Sequence, residues 1–205
     1  MIKKLLLPVI VLASGLAIWS VLAEKSSEIP AAPPLTGWMQ NFTPTVPSGP
    51  ALEGKLLGQD GILRSLSDFR GKLVLVNFWA TWCLPCIREM PSLQRIQKKR
   101  GGDDFTVLAL AQDFNGWKRV APFLQRHDLS GQPVYVDEET VIARSVRIPG
   151  LPVTMLLGRD GKILGRLVGV AEWDSAEAVA LIDYYGQQKQ RRGDDLKEAT
   201  NERGR

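Results

Sequence analysis

The chain has 205 residues and two cysteines, Cys83 and Cys86, which are separated by two residues. The uncharged, mostly apolar segment Leu73–Trp79 precedes this pair, and apolar residues at helical spacing follow it. This order places the first sulfur at the N-terminus of a helix, where backbone N–H groups and the helix dipole favour a thiolate. Because the thiolate is the reactive form of cysteine, the pair predicts thiol–disulfide exchange rather than a structural bond.

The two sulfurs are expected to have different roles. We expect Cys83 to be exposed at the helix start and to attack the disulfide of a partner protein. Cys86 lies one turn further and is less accessible, and we expect it to resolve the resulting mixed disulfide. Pro85 lies between them at the first positions of the helix, where its missing N–H costs little. Together with Pro85, the neighbouring Trp82 and Leu84 are the predicted contacts with that partner.

The composition limits the class of protein. Hydrophobic residues make up 44% of the chain and the formal net charge is +4 at pH 7, which suits one globular domain of ordinary size with tails. Much of the basic excess lies at the two ends of the chain, and no basic face interleaved with aromatic residues lies between them. The sequence therefore argues against nucleic-acid binding.

The N-terminal segment has the pattern of a membrane helix. Lys3 and Lys4 are followed by residues 5–23, which carry no charge and are numerous enough to cross a bilayer of roughly 30 Å. Cleavage after Val21-Leu-Ala23 would release the protein, but the run exceeds the usual ~7–15 apolar residues of a cleaved signal. We therefore interpret residues 1–23 as a signal anchor that places the body on the periplasmic side of the inner membrane.

The folded part is predicted to lie between two extended segments. Residues 24–50 are rich in proline, which is typical of a non-packing linker. Residues 187–205 are dense in mixed charge and nearly devoid of apolar side chains, which predicts a disordered tail. One α/β domain over residues 51–186 remains.

The elements of this domain follow from the spacing of its apolar residues and turns. The predicted strands are 52–57, 62–66, 73–79, 105–111, 133–136, 153–157 and 163–168. The predicted helices are 83–100, 117–126, 138–145 and 175–185. The first two strands form a hairpin across a glycine-containing turn, and the last two form another across Arg159-Asp-Gly161. Pro91 falls inside the first helix, where a kink or a shifted hydrogen bond is expected.

Two segments carry a resemblance to a known family. Phe78-Trp-Ala-Thr-Trp-Cys-Leu-Pro-Cys86, with Pro149-Gly-Leu-Pro-Val-Thr154 further on, resembles the thioredoxin superfamily, and more narrowly its TlpA/ResA/CcmG branch of membrane-tethered extracytoplasmic thioredoxins. Residues 171–175 are most similar to the TlpA-like members. The resemblance covers residues 51–186 and implies a thioredoxin-like fold: a central mixed sheet flanked by helices, with an N-terminal hairpin and a central helix–strand insertion.

The resemblance also implies a role for a proline far from the cysteines. Pro152 corresponds to the cis-proline that faces the two sulfurs, and a cis X–Pro bond is rarely accidental. It would leave the backbone of Leu151 free to pair with a substrate strand. The alternative for Pro152 is an ordinary loop proline before a strand.

Proton transfer is the point at which the chain departs from thioredoxins. Those proteins carry a buried aspartate where this chain has Asn77, and an amide cannot accept the proton released as Cys86 attacks. The resemblance suggests Glu89 instead, one turn beyond Cys86, where a carboxylate would raise the thiol pKa and shuttle the proton. The alternative is a solvated Glu89 paired with Arg88 or Lys72.

The resemblance implies a protein-disulfide reductase with few clients. These would be apocytochrome c or a copper-site assembly factor of the terminal oxidase, and a membrane protein of the DsbD/CcdA type would supply electrons. No cofactor is expected. A zinc site is not expected either, because the chain has no second ligand pair to add to Cys83 and Cys86.

Two alternative functions stay open on the sequence. A copper-binding assembly chaperone would use the two thiols with the single histidine, His127. A thiol peroxidase of the same superfamily would need a Thr-x-x-Cys context, whereas Thr81 is separated from Cys83 by one residue.

Overall fold

The computed structural model describes residues 33–46, 48–129 and 131–187. The predicted anchor, residues 1–23, and all but the first residue of the predicted tail lie outside the described residues. No helix in the described part of the chain combines the length and the hydropathy needed to span a bilayer.

A mixed β-sheet forms the centre of the described domain. Its strands are β1 (Phe42–Pro44), β2 (Lys55–Leu57), β3 (Leu63–Ser65), β4 (Leu73–Trp79), β5 (Phe105–Ala111), β6 (Val134–Val136), β7 (Val153–Leu157) and β8 (Ile163–Val168). Their order across the sheet is β1-β8-β7-β4-β5-β6-β2-β3. The pairs β4–β5 and β5–β6 are parallel, and the other pairs are antiparallel. Both predicted hairpins and the mixed sheet are confirmed.

Helices cover the two faces of this sheet. They are α1 (Leu84–Arg100), α2 (Trp117–His127), α3 (Val141–Ser145) and α4 (176–187). Short 3-10 turns occupy Gly37–Met39, Leu66–Phe69 and Glu138–Thr140. The single helix predicted over 138–145 begins too early. Glu139 and Thr140 have φ of 54° and 53°, and residues in this left-handed conformation cannot continue a right-handed α-helix. Only Val141–Ser145 is α-helical there.

The central strands bury both faces. All seven residues of β4 and all seven of β5 are buried, as the continuous apolar pattern predicts for parallel strands covered by helices. Leu73 and Leu75 of β4 pack with α1 and α4, whereas Val74, Val76 and Phe78 join the core on the opposite face. This alternation places position 77 on the α1 side of the sheet.

The N-terminal boundary predicted at residue 51 is too late. Phe42 and Pro44 lie in the edge strand β1 and pair with Leu167 and Gly165 of β8, and Met39 and Phe42 are buried in the core. A Cβ on Gly165 would collide with the ring of Phe42, so the glycine permits this close packing. An edge strand tolerates proline, which is why a proline-rich composition does not exclude pairing here.

Candidate active site

The two cysteines lie at the N-terminus of α1 and form a disulfide. Cys83 is the N-cap residue, and its Sγ accepts a hydrogen bond from the backbone N–H of Cys86 at 3.3 Å. Cys83 is 5% exposed and Cys86 is fully buried. Cys83 is thus slightly more accessible than Cys86, as expected. The prediction that Cys83 is exposed at the helix start is wrong in this disulfide form, because it belongs to a buried cluster with Trp79, Met90 and other apolar residues.

The exposed apolar surface lies on the residues that flank the sulfurs. Trp82 is 67% exposed and Leu84 is 64% exposed, and Pro85 is half-buried in the first turn of α1. Trp79, in contrast, is buried and packs against Phe123 of α2. Large apolar side chains held in water at a reactive centre are typical of a surface that contacts another protein.

An aspartate that the sequence analysis missed holds the loop before the cysteines. The side chain of Asp113, just beyond β5, accepts the backbone N–H of Thr81 at 3.0 Å and the Thr81 hydroxyl at 2.5 Å. Asp113 is 5% exposed. The signal in the sequence was a pair of polar residues, Gln112 and Asp113, directly after the buried strand Phe105–Ala111. The carboxyl ends of parallel strands form the binding edge of an α/β sheet.

Glu89 lies in the core and not in solvent. Its Oε1 accepts a hydrogen bond from Nδ2 of Asn77 at 2.7 Å, and its Oε2 accepts the backbone N–H of Ala171 at 3.1 Å. The predicted alternative, a solvated Glu89 paired with Arg88 or Lys72, is wrong because Glu89 is fully buried and Lys72 donates to the carbonyl of Gly102.

Burial changes the acid–base behaviour of this carboxyl. Desolvation raises the pKa of Glu89 from an ordinary 4.5 to about 7, although Ala171, Asn77 and the Trp173 side chain act in the opposite direction. All of these partners are neutral, and none replaces the hydration that a carboxylate loses on burial. The group therefore exchanges its proton close to neutral pH. Glu89 also lies three residues after Cys86, which places the two side chains on one face of α1.

The loop before β7 completes the site. The Leu151–Pro152 peptide bond is cis, so the cis-proline expectation is confirmed. Pro152 is buried, and Leu151 is half-buried against the apolar cluster that contains both cysteines. The structure thus brings Leu151, which is distant in the sequence, to the apolar cluster that surrounds the disulfide.

The other candidate ligand, His127, lies at the C-terminal end of α2, where its ring stacks on Phe123 at a centroid distance of 4.3 Å. No group of three or more His, Cys, Asp or Glu side chains within the described residues is arranged to hold a metal ion.

Comparisons with known proteins agree with this geometry. The chain is 34% identical over 118 residues to the thiol-disulfide oxidoreductase ResA of Bacillus cereus, covering 58% of this chain and 63% of that protein. It is 36% identical over 107 residues to the thioredoxin-like protein YneN of Bacillus subtilis, covering 51% of this chain and 61% of that protein. The chain thus spans less than two thirds of the length of these curated relatives.

A solved structure and a family model also match this chain. The crystal structure described as a putative thiol:disulfide interchange protein DsbE from Chlorobium tepidum matches with a TM-score of 0.58 and 28% identity, covering 66% of this chain and 97% of that one. The fold is therefore thioredoxin-like. The Redoxin family model matches residues 35–182, which include β1, the disulfide and most of α4. By this match the chain belongs to the Redoxin family.

Proposed function

We propose that this protein is an extracytoplasmic thiol–disulfide oxidoreductase that reduces specific protein disulfides. The observation that carries the proposal is the Cys83–Cys86 disulfide at the N-terminus of α1, with the buried Glu89 carboxyl one turn further along the same helix. The names of ResA and DsbE, both thiol–disulfide exchange proteins, support the same activity.

The reaction is a transfer of two electrons in two exchange steps. The thiolate of reduced Cys83 attacks one sulfur of the client disulfide, forms a mixed disulfide and expels the other client sulfur as a thiolate. The thiolate of Cys86 then attacks the Cys83 sulfur, forms the Cys83–Cys86 disulfide and expels the second client thiolate. The client gains two electrons, and a dithiol of a donor protein returns the enzyme to its reduced form.

The N-terminus of α1 and Glu89 would favour different steps of this reaction. Backbone N–H groups of the first turn, such as that of Cys86 at 3.3 Å from the Cys83 sulfur, stabilise negative charge on Cys83. Cys86 must lose a proton before it can attack, and a carboxyl that titrates near pH 7 is suited to accept it. We assign Glu89 this proton transfer.

The client-binding surface is assigned to exposed and half-buried residues around the disulfide. Trp82 and Leu84 supply apolar area, and Pro85 fixes the turn between the sulfurs. Leu151, beside the cis bond to Pro152, would offer its backbone to an extended client strand.

The physiological setting is proposed from the sequence pattern. Residues 1–23 would anchor the chain in the inner membrane with the catalytic domain in the periplasm. The family resemblance favours apocytochrome c or a copper-site assembly factor as client, and a membrane donor of the DsbD/CcdA type.

The reduction potential of the Cys83–Cys86 couple tests the direction of electron flow. We expect a value near that of thioredoxin, about −270 mV, measured by equilibration of the full-length chain with glutathione or dithiothreitol redox buffers. A value near −120 mV, typical of a strong oxidant, would contradict a reductase.

A trapping experiment tests the roles of the two sulfurs. Cys86→Ser removes the resolving thiol, so Cys83 should accumulate mixed disulfides with clients that non-reducing electrophoresis detects. Cys83→Ser is the matched control, and it should trap little because Cys86 is fully buried. Equal trapping by the two variants would reverse or remove the assigned roles.

A further inference from the structure

A groove of about 430 Å³ is lined in part by the exposed Trp82. We call it the arginine groove; the residues that matter for its chemistry are Trp82, Arg144, Arg147 and Leu151. Trp82 directly precedes Cys83, and Leu151 packs on the cluster that contains both cysteines. A chain bound in the groove would therefore pass next to the reactive sulfur.

The charged residues that line the arginine groove are all positive. Arg144 and Arg147 are exposed, and neither forms an ion pair with any described residue. No residue lining the groove is acidic. Glu138 and Glu139 precede α3 on the adjoining turn, but neither bonds to these arginines. Two guanidinium groups thus remain available for a carboxylate from another molecule.

We propose that the arginine groove binds an extended segment of the client protein that carries aspartate or glutamate next to the attacked disulfide. This inference rests on the proposed function and adds a client preference to it. Trp82 and Leu151 contact the client chain, and the two arginines bind its carboxylates. Charges at the rim of a binding site act mainly on the association rate, so the preference should weaken at high salt.

Three disulfide peptides that differ only in the residues flanking their cysteines test the proposal. The flanking residues are glutamate, glutamine or lysine, and the full-length chain is reduced beforehand so that it is the sole electron donor. We expect the glutamate peptide to be reduced about tenfold faster than the lysine peptide at low salt. The double variant R144E/R147E should reverse that order.

A charge-matched control separates the groove from the net charge of the protein. Lys98 and Arg126 lie near the C-terminal ends of α1 and α2, exposed and without an ion pair among the described residues. The variant K98E/R126E makes the same change in net charge as R144E/R147E and should retain the preference for the glutamate peptide.

Several results would overturn the inference. Equal rates of the wild-type chain on the three peptides would do so without any variant, and so would loss of the preference in K98E/R126E. Reduction of glutathione disulfide as fast as the glutamate peptide would point to a small carboxylated ligand instead. Binding to phosphatidylglycerol vesicles that R144E/R147E abolishes, with peptide rates unchanged, would assign the groove to a lipid surface. If no disulfide peptide is reduced at all, the proposed function itself fails.

Discussion

The side-chain amide of Asn77 donates to Oε1 of Glu89 at 2.7 Å inside the core, between β4 and α1. Nδ2 of Asn77 also donates to the hydroxyl of Thr154 at 2.9 Å, the residue opposite Asn77 in the β4–β7 register. The Glu89 carboxyl is thus held in one orientation by a neutral partner. Because that partner does not compensate a negative charge, burial keeps the pKa of Glu89 near 7.

The Glu89→Gln variant should change how stability depends on pH. Between pH 4.5 and about 7 the unfolded chain has released the Glu89 proton while the folded chain retains it. The free energy of unfolding of the wild-type chain therefore falls as pH rises through this window, by about 3 kcal/mol in total from this group. Glutamine has no proton to lose, so the variant should gain stability relative to wild type as pH rises to 8.

Urea unfolding of both oxidised proteins from pH 4 to pH 8 measures this effect. The difference between the two proteins is the quantity of interest, since the other titrating groups contribute equally to both. A difference that stays constant between pH 5 and pH 8 would show that Glu89 does not titrate in this range.

The same variant should slow disulfide exchange. Without a group to take the proton of Cys86, we expect the rate of client reduction near pH 7 to fall by about 100-fold. Stopped-flow mixing of the reduced chain with a disulfide peptide measures it. Asp103→Asn, which changes an exposed carboxylate just beyond the C-terminal end of α1 and so at the opposite end of this helix from Cys83, is the control and should leave the rate unchanged. A rate for Glu89→Gln within twofold of wild type would remove Glu89 from the mechanism.

Removal of the Asp113 side chain should loosen the loop that leads to the cysteines. Asp113→Ala deletes both hydrogen bonds to Thr81, and bonds to a charged acceptor contribute about 1.5–3 kcal/mol each. We expect a loss of about 3–4 kcal/mol in urea unfolding and a slower attack by Cys83. Thr81→Val deletes only the hydroxyl bond and should cost about 1.5–2 kcal/mol. Equal losses of stability in the two variants would contradict the assignment of separate contributions to the two hydrogen bonds.

Local patterns in the sequence predict the centre of the domain well. The uncharged run Leu73–Trp79 must be buried on both faces, and the spacing of Cys83 and Cys86 before a helical pattern specifies the strand–turn–helix unit. The site residue Glu89 could be suggested by resemblance, but its burial could not be read from the sequence. That burial depends on Asn77 and Ala171, which lie on other elements.

Features built from long-range contacts were not predictable. The proline content around Pro44 indicates an extended linker, yet Phe42 packs over Gly165 and adds an edge strand to the sheet. Asp113 has no motif of its own and becomes part of the site because β5 ends beside the loop of Thr81. The position of Arg144 next to Trp82 likewise depends on the tertiary fold.

Asp137 fixes the start of the helix that carries Arg144. Asp137 is 2% exposed, and its two carboxylate oxygens accept the backbone N–H groups of Ile142 and Ala143, each at 2.9 Å. Asp137→Ala leaves both buried donors unsatisfied, so we expect α3 to loosen and the free energy of unfolding to fall by about 2–3 kcal/mol.

This variant separates the arginine groove from the chemistry of the sulfurs. Helix α3 carries Arg144 but neither cysteine. The Asp137→Ala variant should therefore reduce the disulfide of the glutamine-flanked peptide at close to the wild-type rate. It should also lose most of the preference for the glutamate-flanked peptide. Asp137→Asn keeps one acceptor oxygen and should fall between the two proteins in both measurements. An unchanged preference in Asp137→Ala, in a protein whose stability has dropped as expected, would show that ordering of α3 by Asp137 does not control the groove.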